Sequence, residues 1–360
     1  MAKTNSTSLI VIGAGIVGLC IAVVAQVRGH AVTIVARDKA EDTASGVAAG
    51  MIAPVLESRT DPWNPVGLAR MRRAQDAWLN LTDAWPRTLT LALRQQQDRA
   101  RSVFIWRGDQ TEDDDDFLGF ALQTARSDAL DISALQDLHV SPAYSGEPVP
   151  GDWLIDATAT LSELESVFRA RGGQWLDAEA ISVASHTVRL DDGATLTADH
   201  VVLAAGFGTV AFADAIPLLE RLHPIKGHIL DLSADTPAGV IRAAEGYLAS
   251  YGGSAKFGAS MEAGRDDLAV DSAVVADLKA RAATMFPDLD LSPAVPRTGI
   301  RAATPDGWPI IGRDPTSGVY IATGMRRNGY VFAPLAAQIV VDLIEGVANP
   351  DAHLYRPDRF

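Results

Sequence analysis

The chain has 360 residues, room for about two domains of ordinary size. Hydrophobic residues make up 48% of it and charged ones 21%, a globular balance that excludes disordered, collagen-like and coiled-coil architectures. Its 31 Lys and Arg stand against 45 Asp and Glu, and the resulting charge of −14 repels phosphate backbones and anionic membranes, so nucleic acid is not an expected partner.

The single cysteine, Cys20, excludes an internal disulfide framework and any Cys-x-x-Cys redox or zinc site, and it suits a cytoplasmic protein. Leu9 to Val27 is apolar for the length of a membrane span. Gly13, Gly15 and Gly18 interrupt it, and no A-x-A cleavage pattern follows, so neither a span nor an export signal is expected.

Ser8 to Ile12 is short, apolar and β-branched, which predicts a strand running into a glycine corner. A helix follows in which Ile16, Leu19, Cys20, Val23 and Val27 share a broad face, closed near Gly29. Ala31 to Ala36 supplies a second strand, completing a βαβ unit of the kind that opens a doubly wound parallel sheet. Further on, the pattern predicts a helix over Leu161 to Arg171, an extended Gln174 to Leu176 and a hairpin turning at Asp191 to Gly193. Val201 to Ala204 and Val319 to Thr323 read as buried strands and Val331 to Ile344 as a last helix. Strands at Tyr247 to Tyr251 and Lys256 to Ser260 fall between these nucleotide-binding elements. The predicted fold is α/β: a Rossmann-type domain from 1–60, 152–208 and 300–360, with a discontinuous mixed α+β substrate domain from 61–151 and 209–299. The acids Glu112 to Asp116 lack the glycine and spacing of a calcium loop and read as a solvated loop; no metal site is expected.

Gly13-Ala-Gly15-Ile-Val-Gly18 sits between strand and helix, where each glycine has a task. The first permits the tight turn, the second lets backbone approach a pyrophosphate, and the third lets helix and strand pack closely, with the helix N-terminus facing the phosphate charge. Downstream, Asp38 fits the ribose hydroxyls of FAD or NAD, whereas Arg37 fits the 2′-phosphate of NADP. This unit alone leaves room for an NADP-dependent dehydrogenase or a catalytically silent dinucleotide-binding sensor.

Ser45-Gly-Val-Ala-Ala-Gly-Met-Ile-Ala-Pro54 narrows the choice. This small-residue loop after the second strand resembles that of the flavin-dependent D-amino acid oxidase and glycine oxidase family. The resemblance extends through Val202-Leu-Ala-Ala-Gly206, Pro224-Ile-Lys-Gly227, Gly299-Ile-Arg301, Thr304-Pro-Asp-Gly307 and Pro309-Ile-Ile-Gly312 to Ala322-Thr-Gly324, Arg327-Asn-Gly329 and Ala333-Pro334. It implies FAD, held at Gly13, Gly15, Ile16, Val17, Gly18, Arg37 and Asp38. Ser45, Ala48, Ala49, Gly50 and Met51 would wrap it, Ile181, Ala205 and Gly206 would border it, and Arg301, Gly324, Arg327, Asn328, Gly329 and Tyr330 would meet the flavin.

The resemblance also implies the reaction: oxidation of the α-carbon–nitrogen bond of a small amino acid, glycine-like, N-substituted or of D configuration. Hydride would pass to flavin N5 and the imine would hydrolyse to a 2-oxo acid, with dioxygen or another acceptor closing the cycle. Arg301 would grip the substrate carboxylate bidentately, with the Tyr247 hydroxyl beside it. Position 327 would face the amine, and the last helix would point its N-terminus at the flavin N1/C2=O edge. No catalytic histidine is needed, and His228 is expected to be structural. Some features depart from the family: Met325 stands where histidine is common, Ser250 where proline is, and Ala36 where glutamate is usual. Met51, Met261 and Met325 are expected to form an apolar wall suited to a side chain larger than hydrogen. Cys20 lies in the first helix, so FAD is expected to be noncovalent.

Overall fold

In the computed structural model, residues 6–60, 65–97, 102–107, 140–149, 151–233 and 236–360 are described; the acidic run at 112–116 lies outside them. The first third runs β1 (Ser8–Ile12), α1 (Ile16–Val27), β2 (Ala31–Val35), α2 (Ala44–Val47), β3 (Met51–Ile52), α3 (Pro54–Thr60), α4 (Pro65–Asn80), α5 (Arg87–Gln97) and β4 (Ser102–Arg107). It continues through β5 (Tyr144–Pro148), β6 (Trp153–Leu154), α6 (Ala157–Ala170), β7 (Gln174–Leu176), β8 (Ala180–Ala184), β9 (Thr187–Leu190), β10 (Thr195–Thr197) and β11 (His200–Leu203). Then come β12 (His223–Leu232), β13 (Gly239–Ala243), β14 (Gly246–Ser250), β15 (Ala255–Gly258), β16 (Glu262–Ala263), α7 (Ser272–Met285) and β17 (Val295–Ala303). The chain closes with β18 (Ile310–Arg313), β19 (Tyr320–Thr323), α8 (Gly329–Ile344) and α9 (Ala352–Tyr355).

The nucleotide-binding sheet has the order β18-β19-β11-β1-β2-β7, parallel except at the β18 edge. Its strands are apolar at consecutive positions because both faces are covered. Leu9 and Val11 face a core shared with α1, α6 and α8, while Ile10 and Ile12 face a second core with Val183, Val188, Phe212 and Leu219. α6 starts a turn earlier than its apolar pattern suggests, because the Asp156 carboxylate accepts from the Ala159 N–H, 3.0 Å away, and caps it.

The second sheet has the order β16-β12-β15-β14-β13-β4-β5, with β17 on the far edge of β12. Period-two alternation gives it two different faces. Leu230, Ile241, Leu248 and Phe257 pack on Leu278, Ala282 and Met285 of α7. The opposite face, with Ile229, Val240 and Ala249, meets Val47, Ala49 and Leu154 from the nucleotide-binding side.

Two stretches sit differently from their expected domains. Along α4, α5 and the turn between them, Met71, Trp78, Trp85 and Leu89 belong to the main core with α1 and α8, and Trp78 Nε1–H donates to the Tyr330 carbonyl at 2.8 Å. Residues from Phe212 to Leu222 join the core beneath β1 and β11. Their apolar faces find partners there that are remote in sequence. β17 also runs past residue 299, so the substrate sheet extends to Ala303.

Candidate active site

The glycine corner is shaped by close backbone approach. Gly13 has φ +106°, and a Cβ there would lie 2.6 Å from the Ala204 carbonyl oxygen; a Cβ on Gly18 would lie 2.0 Å from that of Gly13. Ala205 abuts Gly13, and the Gly206 carbonyl accepts from the Thr323 hydroxyl at 2.8 Å, next to Gly324. At the mouth of α1, Gly15 supplies no side-chain cap; the Ser45 hydroxyl accepts from the Ile16 N–H at 3.1 Å, with Val17 following in the first turn. α8 opens alongside, a Cβ on Gly329 being 3.7 Å from Ile16 Cγ2. Asn328 makes no cap, and its buried Oδ1 has no partner among the described residues. Two helix N-termini with unused N–H groups, glycines that admit no side chain, and an unsatisfied amide oxygen together fit a dinucleotide.

The loop between β2 and α3 is held from the other side. Buried Lys256 donates to the carbonyls of Gly46 and Val47 at 3.2 and 3.1 Å, and Tyr251 to that of Ala49 at 2.5 Å. Tyr330 donates to the Ser45 carbonyl at 3.0 Å. A cation at the carbonyl end of short α2 opposes the partial negative charge there. Ala48 and Gly50 thereby form a fixed wall of the cavity.

Arg37 and Asp38 pair with each other at 3.4 Å, and Arg37 with Glu179 at 2.6 Å. Two carboxylates balance this guanidinium, which disfavours the 2′-phosphate reading. Ile181 lies on β8 and is 46% exposed. Cys20 is fully buried in α1 and burial drives its thiol pKa upward, so it offers no point of covalent attachment.

Between this loop and the second sheet lies a cavity of about 420 Å³. Arg301 enters from β17 and crosses over β12 at Gly227, where a Cβ would lie 2.4 Å from both terminal guanidinium nitrogens. Tyr247 enters from β14 and leans over Gly258 of β15, a Cβ there being 3.2 Å from its hydroxyl. Two glycines thus make room for a cation and a hydroxyl to converge. Burial lowers the Arg301 pKa and raises that of Tyr247. Among the described residues Arg301 has no carboxylate partner, its one side-chain bond being Nη1 to the Ser260 carbonyl at 3.2 Å. A sheltered cation so placed favours an incoming anion.

Arg327 lines the same cavity. Met51 lies in its wall, as does Met261, which is 47% exposed. Met325 does not. A bridge to Ala303 turns it into the main core, 8% exposed, so the expected wall of three methionines reduces to two. His228 is buried, its Nδ1 2.8 Å from Glu262 and its Nε2 accepting the Asp271 N–H at 2.9 Å, as a structural residue would be.

The sequence reading omitted three acid or base groups. Glu57 on α3 is buried between Arg242, 2.6 Å away, and Arg327. Burial pushes the Glu57 pKa up, but the two guanidiniums outweigh it and the net shift is downward. Asp152, fully buried, accepts from the N–H groups of Val55 and Leu56 at 2.8 and 3.0 Å, and burial raises its pKa to about 7. A carboxylate just beyond the proline at the start of a helix was the one available signal for Glu57. Arg242 had none, because β13 is short and its register against Tyr247 is set by tertiary contact.

No helix of the described residues is long and apolar enough to cross a membrane, and none of their His, Cys, Asp and Glu clusters could hold a metal ion. Glycine oxidase of Geobacillus kaustophilus (strain HTA426) is 26% identical over 95% of this chain and 94% of its own. Glycine oxidase of Pseudomonas aeruginosa (strain PAO1) is 27% identical over 95% of each. The crystal structure of the Geobacillus kaustophilus glycine oxidase superposes with a TM-score of 0.79 at 23% identity, covering 99% of both chains. Residues 8–343 match the FAD dependent oxidoreductase (DAO) family, and with the dinucleotide cradle in place the chain belongs to that family as an FAD-dependent enzyme.

Proposed function

We propose that the protein oxidises the α-carbon–nitrogen bond of a small amino acid, glycine, an N-substituted glycine or a D-amino acid, releasing the 2-oxo acid after hydrolysis of the imine. The observation that carries this reading is Arg301: a sheltered guanidinium beside the Tyr247 hydroxyl, without a carboxylate partner among the described residues. Relatives named glycine oxidase over nearly the whole chain support it.

Bound FAD supplies the two-electron acceptor, held by the glycine corner, the Ser45 to Met51 loop and the opening of α8. Arg301 and Tyr247 would fix the substrate carboxylate in two directions, which orients the α-hydrogen. A neutral amine supports departure of hydride from the α-carbon through its lone pair, so no side-chain base is required and positioning does most of the work. The first-turn N–H groups of α8 would stabilise negative charge as it develops. The apolar wall at Met51 leaves room for a substituent beyond hydrogen. A single buried thiol supports placement in the cytoplasm.

Arg301→Ala should purify with FAD yet lose about 10²–10³-fold in kcat/KM, in line with removal of one partner from a sheltered charge pair. Anaerobic flavin bleaching with glycine, sarcosine and D- and L-amino acids checks this. Unchanged kinetics in the variant would remove Arg301 from the site.

A further inference from the structure

More guanidiniums line the cavity than one substrate carboxylate engages. Arg242, Arg301 and Arg327 line it, with Glu57 as the lining carboxylate. Glu57 is shared: one oxygen accepts from Arg242 Nη1 at 2.6 Å and the other from Arg327 Nε. A substrate α-carboxylate would sit at Arg301, while Asp152, whose pKa burial raises to about 7, acts with Glu57 on Arg242. Arg242 makes no other side-chain hydrogen bond among the described residues, so four of its five N–H donors remain for something in the cavity.

Register places this spare capacity next to the substrate. Arg242 pairs with Tyr247 across β13 and β14, and Tyr247 with Gly258 across β14 and β15, so these residues share the face that lines the cavity. Arg242, Tyr247 and Arg301 line the same cavity. Directly opposed residues have Cβ atoms about 5 Å apart, so a group leaving the Arg301–Tyr247 clamp toward Arg242 needs only a few atoms to arrive. The Arg242 side chain is 13% exposed, and a buried guanidinium meets an anion at little further desolvation cost.

We infer that Arg242 is a specificity-determining residue for a second anionic group, and that the substrate class is an amino or imino acid carrying two carboxylates separated by two to four atoms. The inference rests on the proposed oxidation and narrows its substrate.

The test uses the holoenzyme and matched pairs differing in one charge: D-aspartate with D-asparagine, D-glutamate with D-glutamine, and iminodiacetate with its monoamide. At least one dicarboxylate should be preferred over its amide by about tenfold or more in kcat/KM, mainly through KM, as expected for a desolvated charge pair. Arg242→Met should bring that ratio to within about twofold and Arg242→Lys should retain part of it. Succinate should likewise perturb the flavin spectrum at a lower concentration than butyrate, a binding readout independent of turnover and of the folding of any variant. Flavin bleached by the amides as readily as by the dicarboxylates, with succinate and butyrate binding alike, overturns the inference and leaves the proposed oxidation intact. No bleaching by any amino acid removes the oxidation itself, and the inference with it. Were Arg242 only a counter-ion for reduced flavin, Arg242→Met would shift the flavin potential and leave the charge ratio unchanged, which also overturns the inference.

Discussion

Arg301 owes its position to an absence of side chain on the neighbouring strand. A Cβ at residue 227 would fall 2.4 Å from its guanidinium nitrogens, well inside contact distance. Gly227→Ala should therefore displace the cation, lowering kcat/KM by about tenfold or more while flavin content stays unchanged, as a small misplacement of a binding group does; steady-state kinetics with the flavin-to-protein absorbance ratio checks both halves. Asp152 shows the opposite economy, a carboxylate that burial keeps protonated up to about pH 7. Its folded pKa lies above the unfolded value near 3.8, so its contribution to stability is complete below pH 3.8 and is lost as pH rises through about 7. Between those limits stability should fall by up to about 1.4 kcal/mol per pH unit from this group, and Asp152→Asn should flatten that slope in denaturant melts at pH 5 and pH 7. Neither role was visible in the sequence. Gly227 stood in a recognised block without a stated task, and Asp152 is one acid among many until its two N–H partners on α3 are seen.

At the scale of elements, β1, α1 and β2 follow their local pattern almost residue for residue, because an apolar run broken by glycines at 13, 15 and 18 admits few other arrangements. The third glycine has the least freedom: a Cβ at residue 18 would meet the Gly13 carbonyl oxygen at 2.0 Å. Gly18→Val should push α1 off β1 and abolish flavin binding, and a variant that still purifies yellow at full occupancy would contradict this. The small-residue loop was equally legible as a cofactor wrap. What held it was not, since Lys256 and Tyr251 reach its carbonyls from β15 and the end of β14, about 200 residues later in the chain. Met325 failed as a pocket residue for a related reason, the antiparallel bridge to Ala303 deciding which way a side chain at the end of β19 turns.

Among the described residues, two large sheets meet through the loop from Ser45 to Met51, beside a three-stranded sheet β10-β9-β8 and the β3-β6 pair. Binding of FAD at that junction stabilises only the folded state, by about 2.7 kcal/mol when free cofactor exceeds its Kd a hundredfold. Flavin removal should accordingly lower Tm by several degrees and make the apo Tm depend on added FAD, which a thermal melt over a range of FAD concentrations would measure. The segments assigned to one domain by position, α4 with α5 and residues 212–222, went to the other core because apolar faces seek area rather than sequence neighbours.

The sequence by itself determined the dinucleotide corner and the parallel sheet that follows from it, because both rest on spacing within a few residues, and the resemblance of Gly299-Ile-Arg301 to a family block implied a cation for a carboxylate. Only the tertiary structure decided the charge inside the cavity. Glu57, Arg242, Arg301 and Arg327 come from four elements spread over 270 residues, and whether a guanidinium is neutralised or left for a ligand depends on which carboxylate the fold brings within hydrogen-bond reach.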